Sequence, residues 1–268
     1  MRGSLSAYPI GMELLTDYLP PSLLLYSFAV AVFAGIVKGA VGFALPLIIF
    51  SGLGLILDPT VALAGLVLAT VSGNFLQVLK SGLGEAWRAI KDFRVYIGLV
   101  CVFILLSAQL VPNLAPSTIF LGLGVPITLL CAVQLAGPRL IIAPAWRGAA
   151  SVIAGVISGL MGGIAGTWGP TTVLYLVAIE TPKSRQLAVQ GVIYGLGSLM
   201  LLAGHLRSGI LNAQSLPFSA AMVVPVFFGM WIGFRIHDRI EQETFRKITL
   251  TILLIAGVNL IRRGIMGS

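Results

Sequence analysis

The sequence predicts an all-α polytopic membrane protein built from two homologous halves, each a broken helix or helical hairpin followed by three transmembrane helices. Three observations predict it. Of 268 residues, 57% are hydrophobic and only 10% charged, with a mean hydropathy of +1.01, whereas an ordinary soluble domain carries about 25% charged residues. Too little charge is present to cover a water-soluble fold, which excludes soluble enzymes and nucleic-acid binders. Several apolar stretches match the length of a bilayer crossing, and the first half of the chain repeats in the second.

Residues 1–18 form an N-terminal segment in which Arg2, Glu13 and Asp17 do not read as a cleaved signal peptide, so the first long apolar run is expected in the mature chain. A crossing needs about 20 apolar residues. The run from Ser22 to Leu57 has 36, too many for one crossing and few for two. Gly35, Gly39 and Gly42 followed by Pro46 interrupt it, and these residues cannot sustain a regular helix, so two partial helices joined by irregular backbone are expected. Simple spans follow at 60–79, 95–111 and 117–136, with a charged loop over 80–94. A polar linker, 137–146, leads to the second half. There the run from Gly148 to Ile179 has 32 residues, broken by Gly155, Gly159, Gly162, Gly163, Gly166 and Gly169 before Pro170, and spans follow at 186–204, 216–234 and 247–261. Cys101 and Cys131 lie inside apolar runs without metal or redox spacing and read as packing residues.

The two broken runs are copies. Ala34, Gly35, Gly39 and Gly42 match Ala154, Gly155, Gly159 and Gly162 at a constant offset of 120, and Pro46 matches Pro170 at 124. The halves are 19–136 and 147–263. Loop charges test how the broken runs cross. If each is a hairpin returning to its starting side, one face collects twelve of the sixteen loop-borne Lys and Arg, among them Lys80, Arg139, Arg185 and Arg239; counted as single crossings the division is ten to six. The positive-inside rule favours hairpins; a hairpin in the second half alone scores as well, because the 58–59 turn carries no Lys or Arg. It is the repeat that argues for treating both runs alike, which makes each half an odd number of crossings and the two halves an inverted repeat. The richly basic face is then expected in the cytoplasm and both termini outside.

Irregular backbone within a membrane is tolerated only where protein buries it or it lines a watery cavity. Each proline suits the first position of a new half-helix, whose free amides and positive dipole end face the glycine stretch; two such ends brought together form an anion cavity. Thr167, Thr171 and Thr172 add hydroxyls. For the pairs Gly35/Gly39 and Gly155/Gly159 helix packing is the expected role; for Gly42, Gly162, Gly163, Gly166 and Gly169 it is the cavity. Lys38 is an isolated charge about 16 residues into the first apolar run. An unpaired charge in hydrocarbon costs at least about 2.5 kcal/mol, to be met by a bound anion, backbone carbonyls, snorkelling or deprotonation. Its counterpart is Ser158. Thr70, Ser72, Asn74, Gln77, Gln190, Tyr194 and Ser198 face either a cavity or neighbouring helices. Asp58, Glu180, His205 and Arg207 fall at span ends and are expected at the interface.

At these residues the chain resembles the sulfite exporter TauE/SafE family of membrane permeases. The resemblance covers nearly the whole chain and rests on Gly35-Ile-Val-Lys38-Gly39-Ala-Val-Gly42-Phe43 with Pro46, and on Ser158-Gly-Leu-Met-Gly162-Gly163-Ile-Ala-Gly166-Thr-Trp-Gly169-Pro170 followed by Tyr175-Leu176. It implies a multi-pass protein of the cell (inner or plasma) membrane that transports a small anion such as sulfite or a sulfonate, most often outward. The alternative is an anion channel using the same helix ends without alternating access. Candidate substrate-binding residues are Lys38, Gly42, Phe43, Pro46, Asn74, Gly162, Gly163, Gly166, Thr167, Trp168, Gly169, Pro170, Thr171, Gln190 and Tyr194. No catalytic dyad, metal cluster or cofactor motif is expected, so the chain does not read as an enzyme. The partners are the anion and lipids, not nucleic acid, and a homo-oligomer is left open.

Overall fold

The computed structural model describes residues 15, 18–81, 83–137, 141–237 and 241–266. Most of the N-terminal segment, including Arg2, Glu13 and Asp17, and the linker and loop residues Arg139 and Arg239 lie outside them. Among the described residues the structure is helical without strands: α1 (Pro21–Val41), α2 (Leu45–Leu53), α3 (Pro59–Ser81), α4 (Leu83–Asp92), α5 (Arg94–Ala108), α6 (Pro116–Ala136), α7 (Arg147–Ala165), α8 (Gly169–Ala178), α9 (Lys183–Arg207), α10 (Leu216–Ala221), α11 (Val223–His237) and α12 (Gln242–Met266). Seven described stretches are long and apolar enough to cross a membrane, and α12 adds a further helix of 25 residues. Pro21, Pro59 and Pro116 open their helices, where a missing amide hydrogen is no loss.

Both broken runs fold back on themselves. α2 returns along α1: the Tyr26 hydroxyl donates to the Gly52 carbonyl at 2.8 Å, and a Cβ on Gly52 would lie 2.7 Å from the Val30 side chain. Beyond α2 the chain regains the level at which it started. Tyr18 packs on Phe218 with ring centroids 5.8 Å apart, and burial together with the carboxylate of Asp58 pushes its hydroxyl pKa up. In the second run the Ile142 amide, ahead of α7, donates to the Ala178 carbonyl at the end of α8 at 2.7 Å, and Arg147 lies 3.9 Å from Glu180.

The helices then pack reciprocally. The most extensive contacts are α1 on α11 and α7 on α5, so the first helix of each half lies against the other half; α6 faces α12, and α3 faces α9. α3 and α9 run antiparallel, since Leu66 and Leu201 both flank Gly166 while Asn74 meets Tyr194. On the α1–α11 seam, Gly35 and Gly39 face Gly229 and Gly233 so closely that a Cβ on any of the four would strike backbone of the partner helix. Gly155 and Gly159 likewise sit on Leu99, Val100 and Phe103 of α5. These four repeat-motif glycines serve packing, as their spacing suggested.

One expectation changes. The 80–94 segment is not a loop: α4 is an amphipathic helix with Ala86 and Ala89 buried and Trp87 exposed, and it is anchored by Asp92 to Arg185. Its charges suppressed the apolar signal without breaking the period of 3.6. The span expected at 216–234 is present as one apolar stretch, Leu216–Ile236, with a single-residue turn at Met222 between α10 and α11, where Pro225 lacks an amide and its ring crowds the carbonyl four residues back. His205, in the last turn of α9, is fully buried, where Gly204 brings α9 against Ala108 of α5.

Gly39→Leu should lower stability by about 3 kcal/mol, since backbone has to move to admit the side chain. Gly122→Leu, on an exposed face with nothing within 4 Å, should change it little. Thermal unfolding in detergent compares the two, and equal melting temperatures would contradict the close packing of α1 on α11.

Candidate functional site

The two breaks meet. α1 ends where Gly42 turns left-handed, φ 84°, its amide donating to the Lys38 carbonyl. α7 ends the same way at Gly166, φ 66°, its amide donating to the Gly162 carbonyl at 2.6 Å. A Cβ on Gly166 would lie 3.4 Å from Pro46, and one on Gly169 would lie 3.9 Å from Phe43. Pro46 and Pro170 occupy the second positions of α2 and α8, one residue later than expected, with Leu45 and Gly169 opening the helices. The first-turn amides of both half-helices have no intrahelical carbonyl to bond, and they begin beside one cavity.

That cavity is lined by Lys38, Phe43, Ala44, Pro46, Leu47, Asn74, Thr167, Trp168, Gly169, Pro170 and Tyr194, and its volume is about 20 Å³, room for about one water molecule. Lys38 is 3% exposed. Its Nζ donates to Asn74 Oδ1 at 2.6 Å and to Gln77 Oε1 at 3.0 Å, and lies 5.7 Å from the centroid of the Tyr194 ring, within reach of a cation–π attraction. Asn74 is fixed in turn by donating from Nδ2 to the Tyr194 carbonyl at 3.1 Å. None of the described ion pairs includes Lys38. The charge is therefore met by neutral oxygens and an aromatic face, which leaves one of the three ammonium hydrogens without a named acceptor.

In the same lining, Thr167 is 1% exposed and its hydroxyl has no hydrogen-bond partner. Trp168, 2% exposed, meets Tyr194 edge to face at 6.5 Å, and the Tyr194 hydroxyl donates to the Gly169 carbonyl at 3.3 Å. The Trp168 carbonyl accepts the hydroxyls of Thr171 at 3.0 Å and Thr172 at 2.7 Å, so Thr171 braces the break instead of lining the cavity. Gly162 borders Ile104 and Trp168, and Gly163 is pressed on Ile104, Ser107 and Ala108 of α5; both are packing positions. Gly42 and Gly166 shape the turns, and Gln190 is buried outside the lining. Ala44 and Leu47 are lining residues that sequence reasoning missed, because an aliphatic side chain carries no chemical signal.

At the counterpart of Lys38, Ser158 forms a neutral network. The Tyr96 hydroxyl bonds Ser158 Oγ at 2.8 Å and Thr172 Oγ1 at 2.9 Å, and the Tyr96 ring stacks on Tyr175 at 4.7 Å. The pseudo-equivalent places thus differ by one full charge. Ala44 also breaks the symmetry, adopting the left-handed φ of 77° that L-residues other than glycine resist.

A model of the sulfite exporter TauE/SafE family matches residues 27–260. No curated protein and no solved structure matches the chain.

Relieving the strain at Ala44 gives a direct check of the first break. Ala44→Gly should raise stability by about 1 kcal/mol, the left-handed cost being partly offset by the freer unfolded chain. A melting temperature below wild type would show that residue 44 does not adopt this conformation.

Proposed function

The chain belongs to the sulfite exporter TauE/SafE family, and on that premise we propose that it is a secondary transporter that carries a small anion, sulfite or a sulfonate by preference, out of the cell through the cavity between the two breaks. The family is one of multi-pass membrane permeases of sulfur anions. The observation that carries the reading is that the buried Lys38, the unpartnered hydroxyl of Thr167 and the first turns of two half-helices line one cavity. An anion entering there meets a charge, a hydroxyl and backbone amides, all of them donors, and the aromatic walls exclude water that would screen them. The third ammonium hydrogen is the one it would take.

Outward movement needs no coupling ion. Each negative charge leaving a cell gains about 2.3 kcal/mol per 100 mV of interior-negative potential, and the nine acidic residues of the chain all lie outside the predicted spans, where they form no intramembrane proton relay. We further read the antiparallel α3 and α9 and the two fold-back runs as an inverted repeat, with the basic face cytoplasmic.

Lys38→Ala should weaken anion binding by roughly tenfold to a hundredfold, the loss of one charged hydrogen bond of about 1.5–3 kcal/mol. Asn74→Asp should lose as much by neutralising the ammonium, without the fall in melting temperature expected from an orphaned amide. Wild-type flux of sulfite in proteoliposomes containing either well-folded variant would refute the site. Single cysteines at positions 80, 139 and 239 should label from the cytoplasmic side alone and one at the C-terminus from outside; the reverse pattern at the C-terminus would overturn the orientation.

A further inference from the structure

In its protonated form Lys38 brings a positive charge to the cavity, and each group named around its Nζ is neutral: Asn74 Oδ1, Gln77 Oε1 and the face of Tyr194. The half-helix ends add dipoles, which attract an anion but have no net charge. The site without an anion therefore carries one uncompensated charge. With a monoanion it carries none. Moving a site between two aqueous faces through a low-dielectric interior is far easier in the neutral form, because desolvating an unpaired ion is the dominant cost.

From this we propose, resting on the carrier reading above, that the fast activity of this protein is exchange of one anion for another across the membrane, with net export the slow mode. The bound anion neutralises Lys38 and lets the site reorient. After release the bare ammonium resists the return step, unless a second anion binds from the other side and takes its place. In net export the charge is then carried by the empty return, as a positive charge moving inward, so an interior-negative potential speeds net export and leaves exchange unchanged. The stoichiometry is one anion for one anion, and no bond is made or broken.

The test loads proteoliposomes of the intact protein with labelled sulfite at mildly acidic pH, where it is largely the monoanion, and measures loss of label into buffer with and without unlabelled sulfite. Each arm is run at zero potential and at an interior-negative potential set by a potassium gradient with valinomycin. Exchange should exceed net efflux by on the order of a hundredfold, the rate equivalent of carrying an uncompensated ammonium through hydrocarbon, and only net efflux should respond to voltage. Equal rates in both arms, or equal voltage dependence, would overturn the inference and leave the carrier reading standing. No mediated sulfite flux in either arm would overturn both. In Lys38→Gln, confirmed as folded by its melting temperature, any residual exchange and net efflux should converge on one rate; retention of the wild-type ratio would show that the charge of Lys38 does not set the mode.

Discussion

The buried ammonium of Lys38 is the constraint around which the centre of this protein is arranged. A charge in hydrocarbon has to be met by oxygen, and no acid lies within the predicted spans to meet it. Two amide side chains one turn apart on α3, Asn74 and Gln77, turn their carbonyl oxygens to Nζ. Asn74 then donates from Nδ2 to the Tyr194 backbone carbonyl, which ties α3 to α9. One charge thereby fixes the register of α1, α3 and α9. A charge satisfied by neutral acceptors also keeps its field, whereas a salt bridge would have cancelled it. That difference makes the position useful for an anion as well as stable.

The breaks need burial for a related reason. Backbone groups freed at Gly42–Ala44 and Gly166–Trp168 have no water to bond inside a membrane, so the structure closes protein around them. The fold-back of α2 on α1 and of α8 on α7 brings both breaks inward, and the exchanged packing of α1 on α11 and of α7 on α5 encloses them from the side. Glycines at the seams let helix backbones approach to contact. The short α2 and α8 can remain buried because these longer helices surround them. The strained Ala44 is stable in this setting because its neighbours on α1 and α2 are already fixed by packing.

The two broken runs differ most at one pair of positions that match in sequence, Lys38 and Ser158. Around Ser158 the Tyr96 and Thr172 hydroxyls close a neutral, fully packed network; around Lys38 the same space holds a charge and opens on a cavity. The two breaks thus supply different parts: the first the cation, the second the unpartnered Thr167 hydroxyl and the indole wall of Trp168.

How much of this was legible beforehand follows from the range of each interaction. Span positions, the two breaks, the duplication and the singularity of Lys38 are properties of short windows, composition and period, and a chain destined for lipid expresses them without reference to its fold. Nine of the fifteen candidate residues line the cavity, six of them because proline, glycine, a lone charge and hydroxyls in an apolar run are anomalies that only a site or a close contact accommodates. What a window cannot hold is which partner satisfies an anomaly. Gly162 and Gly163 carry the same signature as Gly169, yet their fate depended on how near α5 came. The capture of Lys38 by residues 36 and 39 positions away, the fold-back of each half-helix and the enclosure of both breaks in one cavity were decided by tertiary packing, because burial of a charge or an open amide is satisfied in space and leaves the sequence separation free.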